Sequence, residues 1–302
     1  MKIIINDDFD LYKIAYSGQC FRVRELDDNT FFFVTGEHTV TIRDVTNTAK
    51  RGTKFPAGIG CADVQAGTKG ADTACILEVS CTQAEWDNIW FHYFDLETDY
   101  SKIRKEIPKN DKYLAACADV GRGIRILNQD KFETLISFII SQRKSIPAIK
   151  KCVESISQKY GKSAGISSID ASELFYFPTP KDMFNASAEE LASCGLGYRL
   201  SYVEEAARRV TLNEVNLDEF DNLSDEELVA KLKGFYGVGD KVANCVALFA
   251  YHRVGLAPID TWIKKIIDNE YGGVSPFPGY GKYAGIMQQY MFYAAQHMKM
   301  QA

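Results

Sequence analysis

The stretch GFYGVGDKVANC, Gly234 to Cys245, decides how this chain is read. Two glycines flank one valine, and Asp240 and Lys241 open an apolar run with Val242, Val246 and Phe249 on one helical face. Ser224 to Lys233, SDEELVAKLK, reads as a short helix before it. The link is too short and too rich in glycine for anything but a tight hairpin between two helices. Such a hairpin exposes free N–H groups at the start of its second helix, which makes an anion site, and phosphate is the common anion. The spacing is not that of a Walker loop, and no strand precedes it as a dinucleotide-binding fingerprint requires.

Lys241 occupies the first turn, where the helix dipole disfavours a cation. Three roles fit it: a surface lysine, a phosphate contact, or a nucleophile. A helix start together with partial burial favours the free amine, and an amine can attack carbon and form a Schiff base. Asp260, in APIDTWI, reads as the N-cap of the following helix. Cap N–H groups keep a carboxylate ionised, and a fixed anion stabilises positive charge developing on a reacting sugar. The two residues each open a helix and can face one cleft.

Outward from this stretch, the chain divides into two kinds of pattern. KIIIN, QCFRVREL, TFFFVTG, HTVTIRDV and ACILEVS are short β-branched and aromatic runs separated by turn residues, and HTVTIRD alternates as a strand with one buried face does. Lys50 to Asp72 reads as a surface loop or insertion, and AEWDNIWFHYFDL as an amphipathic helix with Trp86, Ile89, Trp90 and Tyr93 on one side. From about Asp111 the periodicity is helical. Ser145, Ser187, Ser224 and Asp260 stand as caps, and Gly161, Gly195 and Gly272 as helix ends. The expectation is an α+β protein, with an N-terminal antiparallel β-sheet domain over residues 1–110 and an all-α domain over residues 111–302.

Composition narrows the function classes. The chain has 302 residues, a net charge of −5 and ordinary apolar and charged fractions. No apolar run approaches the ~18 residues of a membrane helix, and MKIIINDD turns acidic too early for a signal peptide. Eight cysteines are scattered without CxxC spacing, and four histidines form no HxxxH or HExxH pair. These patterns predict reduced thiols, an intracellular protein and no metal, and no cofactor is expected. A local basic excess lies between Gly121 and Lys162, read either as a solvated helix surface or as a polyanion contact.

With these residues in place, LKGFYGVGDKVANCVALFAYHRVGLAPIDTWI resembles the helix–hairpin–helix and Gly/Pro-Asp segment of DNA glycosylases. The lysine resembles that of the bifunctional branch. SGQCFR (Ser17 to Arg22), GLGYR (Gly195 to Arg199), GVGDKVANC and YAGIMQQYMF (Tyr283 to Phe292) are similar to signatures of 8-oxoguanine DNA glycosylases, in order along nearly the whole chain. The resemblance implies a helix–hairpin–helix glycosylase domain acting as a monomer on damaged double-stranded DNA. It implies base flipping, attack of Lys241 on C1′, charge stabilisation by Asp260, and strand cleavage through a Schiff base. Gly18 would offer its carbonyl to N7–H of 8-oxoguanine, Cys245 and Phe292 would sandwich the base, and Gln288 would bind its Watson–Crick edge. Gly237, Gly239, Lys241 and Val242 would hold phosphate through their amides. Tyr198 would wedge into the vacated stack, Arg199 would face the orphaned base, and Gln142, Arg143 and Trp262 would also contact DNA.

Four positions depart from the family pattern. Eukaryotic members have an opposite-base-reading arginine where Ala148 stands, and a gap-filling asparagine where Arg143 stands. Trp262 replaces a histidine two residues after the aspartate, and Ala295 replaces its acidic partner. A weaker preference for opposite cytosine and a remade 5′-phosphate contact are therefore expected. Competing readings are a monofunctional alkylpurine glycosylase, which would not need Lys241, a non-enzymatic DNA-binding hairpin module, and a nucleotide-binding protein.

Overall fold

The computed structural model describes residues 1–27, 29–46, 74–166 and 172–297. The expected α+β architecture is the one observed. Five strands, β1 (Lys2–Ile5), β2 (Arg24–Asp27), β3 (Thr30–Thr35), β4 (His38–Asp44) and β5 (Cys75–Val79), form one antiparallel sheet in the order β1-β5-β4-β3-β2. The expected loop from Lys50 to Asp72 lies outside the described residues.

Strand β3 shows why the sheet has two covered faces. Successive side chains of a strand point to opposite sides. Phe31 and Phe33 enter a core with Leu11, Ile14, Val40, Ile42, Trp86 and Trp90. Phe32 and Val34 turn the other way and pack on Leu174, from a two-stranded hairpin formed by β6 (Ser163–Ile166) and β7 (Glu173–Phe175). That hairpin carried no clear alternation in the sequence and was not expected.

QCFRVREL is a strand only from Arg24 onward. Its first half runs between two cores: Cys20 and Val23 pack with the sheet, and Phe21 packs with the helices. Gln19 explains why it forms no ladder. Its buried amide donates to the Arg125 carbonyl at 2.8 Å and accepts from the Leu127 N–H at 2.8 Å, so cross-chain bonds replace strand pairing. The amphipathic segment after β5 is helical through Tyr93, with a π turn at Trp86–Trp90 that keeps both tryptophans and Tyr93 buried.

The second core is mostly helical and centres on Lys131–Ser141, in which Phe132 through Ile140 are all buried apart from the polar Glu133. Three of the expected caps hold backbone N–H groups: Ser187, Ser224 in a capping box with Glu227, and Asp260. Ser145 makes no side-chain cap bond. Gly195 and Gly272 have positive φ as terminating glycines do, but Gly161 does not. There a Cβ would come within 1.9 Å of the Tyr176 carbonyl, so Gly161 is required by close approach of the β-hairpin.

Buried polar bonds join the two cores. Arg125, with no exposed surface, donates to the carbonyls of Asp8, Phe94, Asp95 and Thr98 and to the Asp7 carboxylate, and it stacks on Tyr100. The Asp95 carboxylate meets His252 Nε2 at 3.2 Å, just beyond the helix that begins at Asp240. Burial alone would raise the Asp95 carboxyl. Hydrogen bonds from His252, Tyr100 and Thr98, with the charge of His252, outweigh it and hold the carboxyl below its ordinary value. The lowered group contributes stability that is present above the unfolded-state value and lost as pH falls through the folded one. Thermal unfolding followed from pH 7 to pH 3 is expected to show Asp95→Asn less stable than wild type at neutral pH, with the gap closing as pH falls.

Candidate active site

The hairpin forms as its glycines require. The Asp225–Lys233 helix stops at Gly234, Gly237 takes φ +79°, and Gly239 caps the Asp240–Ala250 helix. A Cβ on Gly237 would lie 2.3 Å from the Tyr202 ring, so both its conformation and its small size are needed. Gly239 has an ordinary φ and open space where a Cβ would stand. The amides of Gly237, Gly239, Lys241 and Val242 make no hydrogen bond among the described residues, as the first amides of a helix do not.

Lys241 is half-buried on this helix. Its ammonium nitrogen donates to Ser141 Oγ at 3.3 Å and lies 5.1 Å from the centre of the Phe138 ring. The Ser141 hydroxyl donates to the Phe138 carbonyl at 2.7 Å, which leaves its lone pairs to accept from Lys241. One turn along, Cys245 is buried. Burial pushes its thiol up, the Lys241 charge opposes this, and the Asp260 charge adds to it. The thiol therefore feels both charged groups. Held protonated, Cys245 is a poor nucleophile. Asp260 Oδ1 accepts from the Ile263 N–H at 2.8 Å, the cap bond that fixes the carboxylate at the start of Thr261–Glu270.

A second group of residues converges from the two ends of the chain. Gly18 has φ +79°, and a Cβ there would meet Phe292 Cε1 at 2.9 Å and Ile146 Cδ1 at 3.3 Å. Phe292 lies on the last helix, Ala284–His297. From the same helix Gln289 Nε2 donates to the Ser17 carbonyl at 2.6 Å, locking the Gly18 turn in place. Gln288 is also buried, yet its Oε1 accepts no hydrogen bond among the described residues. A buried amide oxygen left unpaired costs about 1–3 kcal/mol. Gly285 brings the last helix against the lysine helix, since a Cβ there would lie 2.7 Å from Leu248.

The open face carries Tyr198, 53% exposed, standing on the Arg199 guanidinium at 4.3 Å. Arg199, expected to face the orphaned base, is turned inward in this structure. It is buried and donates to the carbonyls of Leu196 and Gln142, closing the exposed end of the Lys131–Ser141 helix. Gln142 ends that helix, and Arg143 follows it, exposed and at positive φ. Trp262 lies beside Asp260 and is 40% exposed.

Among the described residues, four of the nine basic residues between Gly121 and Lys162 form ion pairs within the protein. Arg122 pairs with Asp8, Arg125 with Asp7, Lys131 with Asp218 and Asp221, and Lys162 with Glu37. Ser141 and Phe138 contact Lys241, Ile146 borders Gly18 and Gln289 holds Ser17, and none of these four was anticipated. Ser141 meets Lys241 across 100 residues of chain, a pairing that no local pattern announces.

The arrangement matches known proteins over almost its full length. The family profile described as 8-oxoguanine DNA glycosylase, N-terminal domain, matches residues 2–135, and that of the HhH-GPD superfamily base excision DNA repair proteins matches residues 136–286. The solved structure of MBOgg1 in complex with a low-affinity DNA ligand is 31% identical, with a TM-score of 0.82 over 99% of this chain and 96% of that one. The Clostridium acetobutylicum 8-oxoguanine glycosylase/lyase, in complex with DNA containing cytosine opposite 8-oxoguanine, is 30% identical, with a TM-score of 0.81 over 99% of each chain. The N-glycosylase/DNA lyase of Saccharomyces cerevisiae is 32% identical over 161 residues, which span 50% of this chain and 42% of that protein. The chain belongs to the HhH-GPD superfamily of base excision DNA repair proteins, in the branch that carries the 8-oxoguanine DNA glycosylase N-terminal domain.

Proposed function

We propose that this protein is a bifunctional 8-oxoguanine DNA glycosylase and abasic-site lyase that acts as a monomer on damaged double-stranded DNA. The observation that carries the reading is the half-buried amine of Lys241, held by Ser141 at the start of one helix, with Asp260 capping the start of the next. The neutral amine attacks C1′ of the flipped nucleoside, and the bond from C1′ to the base breaks with its electron pair leaving on the base. Asp260 stabilises the positive charge that develops on the sugar. The amine nitrogen, now bonded to C1′, loses a proton; the C1′–O4′ bond breaks, O4′ takes up a proton, and the opened sugar is left as a Schiff base. Loss of a 2′ proton and departure of the 3′ phosphate cleave the strand.

Recognition of the base follows from the second group of residues. Gly18 brings main chain, not a side chain, against the base edge, where its carbonyl accepts from N7–H of 8-oxoguanine. Guanine has no hydrogen there. Gln288 Oε1 accepts from the Watson–Crick edge, and Phe292 and Cys245 close on the two faces. Amides of the hairpin hold phosphate, and Tyr198 fills the gap in the stack. With Ala148 in place of an arginine and Arg199 turned inward, the enzyme discriminates the opposite base weakly.

Incubation with a duplex containing one 8-oxoguanine, followed by borohydride, is expected to trap a covalent adduct that Lys241→Gln abolishes. Base release without an adduct would instead indicate a monofunctional enzyme. Asp260→Asn is expected to slow base excision about 10²–10³-fold in single-turnover assays, the usual effect of losing one preorganised electrostatic group. Gly18→Ala places a side chain at positive φ against Phe292, and the strain and overpacking cost roughly 1–3 kcal/mol. The variant is expected to lose 8-oxoguanine excision while retaining cleavage at a preformed abasic site.

A further inference from the structure

The hairpin carries a large exposed side chain that none of the roles above uses. Tyr236, 60% exposed, immediately precedes Gly237 on the turn that presents the free amides. Its ring meets Tyr202 edge-to-face at 4.7 Å, and Tyr202 meets Tyr198 edge-to-face at 5.9 Å. Three tyrosines thus form one row from the phosphate-facing turn to the exposed Tyr198. The row stands on a rigid base. Glu205 accepts from the Tyr236 N–H at 3.3 Å and from Arg209 at 3.3 Å, and Arg209 donates to the Gly234 carbonyl at 2.7 Å. Tyr202, Glu205 and Arg209 all belong to the Leu200–Thr211 helix, whose start carries Tyr198 and Arg199. One helix therefore bolts the hairpin to the residue that would wedge the DNA.

An aromatic ring held on edge, with its phenol in water, has one apolar face and one polar tip, which suits a deoxyribose and its phosphate. We propose that Tyr236 is a further DNA-contacting residue, lying against the sugar–phosphate backbone of the strand gripped by the hairpin, and that Tyr202 is a positioning residue coupling this grip to the seating of Tyr198. The proposal rests on the glycosylase reading above. Tyr236 lies outside the cores, so its replacement leaves folding intact. Tyr202 packs on the turn at Gly237, so its replacement is not used as the test.

The experiment measures binding to a duplex carrying a tetrahydrofuran abasic analogue, with 2-aminopurine beside the lesion to report unstacking. It compares wild type, Tyr236→Ala, Tyr236→Phe, Tyr198→Ala and the double alanine variant, with thermal midpoints as the check on folding. Tyr236→Ala is expected to weaken binding about 3–10-fold, the scale of one aromatic contact, and Tyr236→Phe to lose less. At saturating protein, Tyr236→Ala is also expected to lower the 2-aminopurine signal. The double variant is expected to lose less than the product of the two single losses, the signature of residues acting together. Unchanged binding by Tyr236→Ala would overturn the contact. Losses that multiply, with a full fluorescence signal, would overturn the coupling. Failure of the wild type to prefer the lesion duplex over undamaged DNA would instead count against the glycosylase reading itself.

Discussion

Lys241 reaches Ser141 across a hundred residues of chain, and that hydrogen bond fixes where two helix ends meet. Lys131–Ser141 ends beside the start of Asp240–Ala250, so the electronegative end of one helix faces the electropositive start of the other. Farther along, Phe138 stacks on Phe249 at 5.5 Å with an interplanar angle of 14°, which sets the spacing between the helices. The amine is therefore held between two packed helices. Its aim does not depend on a surface loop, and this is how a reactive group keeps a fixed geometry.

The other half of the site depends on the union of two cores. Gly18 lies near the N-terminus and Phe292 near the C-terminus, and neither segment could hold the other alone. Arg125 gathers four carbonyls and one carboxylate at the junction, and residues next to it, through Gln19, pin the turn that contains Gly18. A buried cation so fully satisfied stabilises the junction, whereas loss of any partner group leaves charge or dipole unpaired in an apolar setting. The sheet thus acts at a distance, by presenting one loop to the last helix.

Much of this was legible in the sequence, for identifiable reasons. The hairpin was readable because glycine spacing and helical periodicity are local, and four of the five strands because β-branched and aromatic runs with turns between them are local too. The strand in QCFRVREL was misread at its start because alternation there serves two different cores. The inward turn of Arg199 was not legible, since it depends on the carbonyls at the end of a distant helix. Ser141 and Ile146 were hidden for the same reason. The unpaired oxygen of Gln288 appears only once every neighbour of that atom is known.

The cysteines follow from how the cores are packed. Among the described residues, burial raises the thiols of Cys20, Cys81, Cys152 and Cys245, with Cys20 pushed up to about 12. Reaction of cysteine with peroxide requires the thiolate. Burial thus keeps the Cys245 thiol, one turn from Lys241, in the form that oxidants attack slowly.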